Sequence, residues 1–297
     1  MSSFSRQDAL VRAMPAVFVL IWSTGFIVAR FGMPHAPPMK FLALRYFFSV
    51  ACFLVWAVTA GVAVVPGDRR QVKHLAVTGI LMHAGYLGGV WAAVKLGMGA
   101  GLASLLVGLQ PVLTAVWVSS RGGVVSMRQW AGLALGFGGL ALVVWQKLGV
   151  GEISGLNFLL ALGALLSITA GTIYQKRFVV PCDVRTASLV QLCAAFAVTV
   201  PLALLETESV RWNGQLAGAM AWSVLALTLG GSSLLYLLIH RGAATAVTSL
   251  LYLVPPCTAV MAWLLFGEAI TVFTIAGIAL TALGVSLVVR APSPPRS

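Results

Sequence analysis

The chain has 297 residues, of which 60% are hydrophobic and 9% charged. Soluble globular proteins run at about 45–50% apolar and about 25% charged, and disordered chains are less hydrophobic still. Both classes are excluded, and the net charge of +12 has to be read against a membrane rather than a nucleic acid.

The 19 basic and 7 acidic residues leave ten charge-free stretches: 13–29, 46–67, 74–94, 96–120, 129–146, 153–175, 186–205, 212–240, 242–267 and 269–289. About 20 mostly apolar residues cross a hydrocarbon core as a helix. Outer-membrane strands run only about 10 residues and alternate polar with apolar. The stretches therefore predict an all-α polytopic membrane protein with ten transmembrane helices. The first follows Arg6 and Arg12, as a signal peptide would, but ends in Phe26-Ile27-Val28-Ala29-Arg30 without a small-residue cleavage site. It is expected to stay as the first helix.

With alternating spans, 13 Lys and Arg residues fall on the side of the N-terminus and 6 on the other. The positive-inside rule then puts both termini in the cytoplasm of a bacterial inner membrane. Cys52, Cys193 and Cys257 lie in apolar runs and Cys182 in a predicted cytoplasmic loop. That distribution suggests packing, not disulfides or zinc.

A shift of 145 residues aligns 97–144 with 242–289 without a gap, and 14 of 48 positions are identical. Pro111 meets Pro256, Gly132 meets Gly277, Gly139 meets Gly284, and the run Leu142-Val143-Val144 meets Leu287-Val288-Val289. Upstream, Gly85 falls on Gly230, Trp91 on Tyr236 and Lys95 on His240. The chain divides near Gly149–Gly151 into a first five-helix repeat, 1–149, and a second, 150–297. Five is odd, so equivalent helices must run in opposite directions. Two inverted five-helix repeats are the arrangement that alternating access uses in many secondary transporters.

Taken in chain order, the third segment carries His83 near mid-membrane, with Tyr86, Val90 and Trp91 on the same helical face. An ionisable residue at that depth faces the bundle interior or a cavity. The fourth carries Ser104, Gly108, Gln110 and Pro111, and the sixth Thr169, Thr172, Tyr174 and Gln175. The eighth repeats the face of the third as Thr228, Ser232 and Tyr236, so that Trp91 and Tyr236 form a candidate pair for sandwiching an aromatic or apolar side chain. The ninth has the stripe Thr245, Thr248, Ser249 and Tyr252 ahead of Pro255-Pro256. Proline within a span frees a carbonyl and bends the helix, which makes Pro111 and Pro256 the candidate gating kinks. The fifth and tenth segments offer mainly glycines at spacings suited to close helix contact.

The chain also resembles the drug/metabolite transporter superfamily in its ten-helix EamA-type branch. The resemblance rests on Ile21-Trp22-Ser23-Thr24-Gly25-Phe26, on Phe41-Leu42-Ala43-Leu44-Arg45-Tyr46-Phe47, and on Gly267-Glu268 followed by Ala276-Gly277 and Gly284. It spans nearly the whole chain. It implies an inner-membrane exporter of amino acids or related metabolites, with the bacterial aromatic amino acid exporters as one subgroup, and it adds Trp22 to the pathway. One departure is visible: Gly122-Gly123 stand where the second half has Gly267-Glu268. Glu268 is expected to favour the N-terminus of the tenth helix.

The predicted substrate pathway is thus Trp22, His83, Tyr86, Trp91, Gln110, Thr169, Tyr174, Thr228, Ser232, Tyr236, Thr248 and Tyr252, with Pro111 and Pro256 as kinks. All seven carboxylates flank helices, so proton coupling would fall to His83, and facilitated export is the other reading. No nucleotide-binding or catalytic motif is present, and no catalytic residue, metal or cofactor is expected. A channel would show repeated polar rings, and scattered single polar residues do not supply them. The expected partners are a small-molecule substrate and the bilayer, with no nucleic acid, and the expected assembly is a monomer or weak dimer.

Overall fold

The structure, a computed structural model, describes residues 6–121, 126–149, 151–234 and 253–289. The described residues form α1 (Arg6–Gly32), α2 (Pro38–Thr59), α3 (Arg69–Lys95), α4 (Ala100–Trp117), α5 (Met127–Gly149), α6 (Gly155–Phe178), α7 (Val184–Leu205), α8 (Gly214–Leu234), α9 (Val254–Phe266) and α10 (Val272–Val289). The helices α2 to α8 are each long and apolar enough to cross a membrane, and the stretches 16–32, 254–266 and 272–287 are shorter apolar helices. The chain is an all-α polytopic membrane protein. Its exposed side chains agree: Leu54, Val55 and Val58 on α2, Leu159 and Leu166 on α6, and Leu204 and Leu205 on α7 face outward. Such a surface is tolerated in lipid and is an aggregation hazard in water.

Local chemistry fixes the ends. Pro38 opens α2, Asp68 accepts from the Arg70 N–H at the start of α3, and Ser154 with Asn157 forms a capping box on α6. Asp183 and Asn213 cap α7 and α8 in the same way. The chain leaves α9 through Gly267 at φ 67°, a left-handed turn that glycine adopts without a Cβ clash.

Glu268 does not serve α10. Its carboxylate accepts from the N–H groups of Ala100 (3.0 Å) and Gly101 (3.3 Å) on α4. The turn at Gly267 carries it away from α10, whose first turn is capped by the Thr271 hydroxyl, accepting from the Thr274 N–H at 3.2 Å. Glu206 makes the parallel contact on α2, accepting from Met39 and Lys40 at 2.9 and 2.8 Å. Together with Lys95–Glu208 (2.6 Å) and His35–Gln215 (3.0 Å), these bonds tie the connections at one end of the bundle into a clasp.

Two helices pack most closely. α5 and α10 run antiparallel, with Gly139 against the carbonyl of Gly277 and Gly284 against the carbonyl of Gly132. Absence of a Cβ lets the backbones touch. Elsewhere α2 packs on α7, α3 on α6 and α7, and α1 on α9, around a core that includes Phe41, Leu42, Tyr46, Phe53 and Trp91.

Two stretches of the wider π-helix interrupt α3 and α8, at Ile80–Gly85 and Ser223–Gly230. They end at Gly85 and Gly230, 145 residues apart. A π turn leaves carbonyls poorly served by the helix itself. Neighbours serve them here: Ser167 donates to Leu81 O at 2.8 Å and the Tyr46 hydroxyl to His83 O at 2.9 Å.

Candidate functional site

Where α2, α3 and α8 meet, the two π turns place polar side chains around one buried cation. Arg45 is the eighth residue of α2 and only 7% exposed. Its Nε and Nη2 donate to the Thr228 hydroxyl at 3.2 and 3.1 Å, and that hydroxyl donates to Ser223 O at 2.8 Å, one π turn back. Tyr46 and Tyr86 lie close enough to interact electrostatically with the guanidinium, as does His83, which also has Gln191 of α7 beside it. Of the residues expected from sequence, His83, Tyr86 and Thr228 are brought together here.

The others fall in separate places. Trp22 is half-buried on α1 with its ring 5.3 Å from Phe18. Its neighbours Ser23 and Thr24 reach the second half of the chain, where Thr258 donates to Ser23 O (3.3 Å) and Trp222 Nε1 to the Thr24 hydroxyl (2.8 Å). Trp91 is buried and stacks on Phe41 with centroids 4.3 Å apart, so one face of its ring is taken. Gln110 donates to the Thr172 hydroxyl at 2.7 Å, joining α4 to α6, while Thr169 bonds back to Leu165 O within α6. Tyr174 pairs with His74 Nδ1 at 2.8 Å beside Phe178, far along α6 from the clasp. Ser232 is half-buried one turn beyond Thr228. Tyr236, Thr248 and Tyr252 lie outside the described residues.

Pro111 follows a break in α4, and Pro255 and Pro256 stand at the start of α9. In α4 the α-helix stops at Val107 and resumes at Gln110, just ahead of Pro111. Pro255 and Pro256 occupy the first turn of α9. A Cβ on Gly108 would lie 3.1 Å from the Pro255 ring, so the break in α4 abuts the first turn of α9. A small cleft beside them is lined by Leu105, Gly108, Pro255, Thr281 and Val285.

Sequence reasoning missed Arg45. The charge-free stretch of the second helix was counted from residue 46, which treated Arg45 as a flank, whereas α2 starts at Pro38. The signal was available: Pro37-Pro38 marks a helix start, and a charge seven residues past it lies inside the span. Gln191 and the orphaned hydroxyls discussed below carried no such mark.

The profile of the EamA-like transporter family matches the chain twice, at residues 13–145 and 156–290. The protein belongs to the EamA-like transporter family. It is therefore a multi-pass inner-membrane transporter and not an enzyme. Among similar proteins, a "probable amino-acid metabolite efflux pump" of Salmonella typhimurium is 27% identical, over 94% of each chain. The "uncharacterized inner membrane transporter YedA" of Escherichia coli K12 is 25% identical, over 88% of this chain and 84% of its own. A crystal structure covering 95% of this chain and 96% of its own superposes with a TM-score of 0.67 at 18% identity, which shows a shared fold.

Proposed function

We propose that this EamA-family protein exports neutral amino acids, aromatic ones among them, or closely related small metabolites, by alternating access between two inverted five-helix repeats, 1–149 and 150–297. The observation that carries the mechanism is the α5–α10 crossing. Gly139 meets Gly277 and Gly284 meets Gly132, and a 145-residue shift turns the first pair into the second. Equivalent helices that run antiparallel about such a crossing are what an inverted repeat requires. The paired π turns and the double family match support the same division.

The amino-acid cargo is supported by the efflux pump named above and by a central group of polar and aromatic side chains. In this reading both termini are cytoplasmic and the clasp of Glu206, Glu208 and Glu268 lies on the periplasmic side. The pathway runs past Trp22, His83, Tyr86, Gln110, Thr169, Thr228 and Ser232, with Trp91, Tyr174, Tyr236, Thr248 and Tyr252 as further members. Pro111 and Pro256 mark the bends. His83 is the proposed site of any proton coupling.

The test is flux of labelled phenylalanine, leucine and threonine in proteoliposomes, with and without an imposed pH gradient. Saturable flux is expected for at least one. No flux for any amino acid would remove the amino-acid assignment, and flux indifferent to pH would remove the coupling role of His83.

A further inference from the structure

Among the described residues, no carboxylate pairs with Arg45. The seven carboxylates are Asp8, Asp68, Glu152, Asp183, Glu206, Glu208 and Glu268. Asp8 belongs to the first turn of α1, and Asp68 and Asp183 cap α3 and α7. Glu152 pairs with Lys147, Glu208 with Lys95, and Glu206 and Glu268 cap α2 and α4. Arg45 sits about 10 Å along α2 from its N-terminal end, at 1.5 Å per residue, and among the described residues its hydrogen-bonding partner is the Thr228 hydroxyl. A buried guanidinium without an anion is costly, because a neutral hydroxyl replaces little of its hydration.

Two further buried groups are orphaned on the same pair of helices. Ser49 Oγ lies one turn past Arg45 on α2, and Ser223 Oγ lies one π turn before Thr228 on α8. Both residues are fully buried, and among the described residues neither hydroxyl has a partner. Buried hydroxyls without a partner are rare in folded chains, and these two flank the Arg45–Thr228 contact on its own helices.

We propose that Arg45 is the anchor for the carboxylate of the transported molecule, and that the carboxylate takes the guanidinium from Thr228. The planar fork suits a carboxylate better than a point cation would. The bond that is exchanged joins α2 of the first half to α8 of the second. Substrate binding therefore releases a contact between the halves, and the empty site restores it. The inference rests on the export reading and narrows its cargo to carboxylate-bearing molecules.

Acid and amide forms of one amino acid separate the two ideas. Binding to detergent-purified protein is followed by tryptophan fluorescence, and flux in proteoliposomes, with L-phenylalanine and L-phenylalaninamide as probes. The amide keeps the ring and ammonium and loses only the negative charge. Wild type is expected to prefer the acid about 10- to 100-fold, the range for a hydrogen bond to a charged group. Arg45→Gln loses that preference, while Thr228→Val keeps it because the guanidinium remains. Equal binding of acid and amide by wild type overturns the anchor and leaves export standing. Acid-selective binding without flux of any amino acid overturns export and leaves the anchor. Displacement of phenylalanine by chloride at equal concentration overturns the carboxylate assignment. The wild-type comparison decides the matter even if Arg45→Gln does not fold.

Discussion

The hydroxyl of Thr281 on α10 donates to the carbonyl of Gly136 on α5 at 3.5 Å, and the two residues stand 145 positions apart, the shift at which 97–144 aligns with 242–289 in the sequence. The crossing of α5 and α10 is centred on this pair, with the glycine contacts disposed symmetrically to either side.

Glycine substitutions along α5 should therefore diverge sharply. A Cβ on Gly139 would lie 2.5 Å from Gly277 O and 2.9 Å from Thr281 N, both rigid backbone atoms. Gly139→Ala is expected to lower stability by about 1–3 kcal/mol, as overpacking does. At Gly138, one residue earlier, none of the described residues lies within 4 Å of the added methyl. Gly138→Ala is expected to be neutral or to stabilise by up to about 1 kcal/mol through helix propensity. Thermal unfolding in detergent compares them, and equal effects would contradict the crossing.

Removing the Glu268 clasp should loosen α4. Glu268→Ala leaves the Ala100 and Gly101 N–H groups without their acceptor, at a cost of about 0.5–2 kcal/mol, as for a lost helix cap. Glu268→Gln retains an acceptor oxygen and should lose less. The reading is the unfolding temperature of each variant, and an unchanged Glu268→Ala would show that the clasp contributes nothing.

The two lysine–glutamate pairs at the clasped end should behave differently. Lys147 is 5% exposed, and its Nζ reaches Glu152 at 2.7 Å. Lys147→Met strands the Glu152 carboxylate, one oxygen of which is already buried without a partner among the described residues, and is expected to cost about 3 kcal/mol. Lys95–Glu208 is open to solvent on the glutamate side, and Lys95→Met should cost under about 1 kcal/mol. Unfolding temperatures at low and high salt check this, since added salt should shrink only the Lys95 effect.

Stability should also fall on the acid side through Asp183. Its carboxyl is held below the usual carboxylate range chiefly by the side-chain bond from Arg185, which outweighs the opposing effect of burial, with the Arg185 N–H and charge adding to it. A depressed folded value means that the contribution is complete above about pH 4, the unfolded carboxylate value, and is lost as pH falls through the folded one. Asp183→Asn should flatten that part of the pH–stability curve. A variant curve parallel to wild type throughout would contradict the assignment.

Much of the architecture was legible in the chain. Helix placement follows from charge spacing, because a charge in hydrocarbon is expensive and the gaps between charges must match the bilayer. Gly132, Gly139, Gly277 and Gly284 were readable as close contacts because nothing else explains glycine at fixed spacing in an apolar helix. His83 was readable because of its depth. Arg45 escaped because counting from charge to charge places every charge at a boundary. Glu268 was assigned to the wrong helix because a cap recognised in sequence is local, and its actual acceptor role spans about 168 residues of chain.

The sequence by itself determined the solvent, the helices and the close glycine contacts between α5 and α10. These depend on composition and spacing along one strand of chain, where hydrophobic transfer and backbone restriction act residue by residue. Tertiary structure decided which groups meet. It opened π turns at Gly85 and Gly230, turned Trp91 onto Phe41, sent Glu268 to α4, and brought Thr228 to Arg45 across 183 residues. Such meetings depend on packing between helices, where a buried charge must take whatever partner the fold brings within reach.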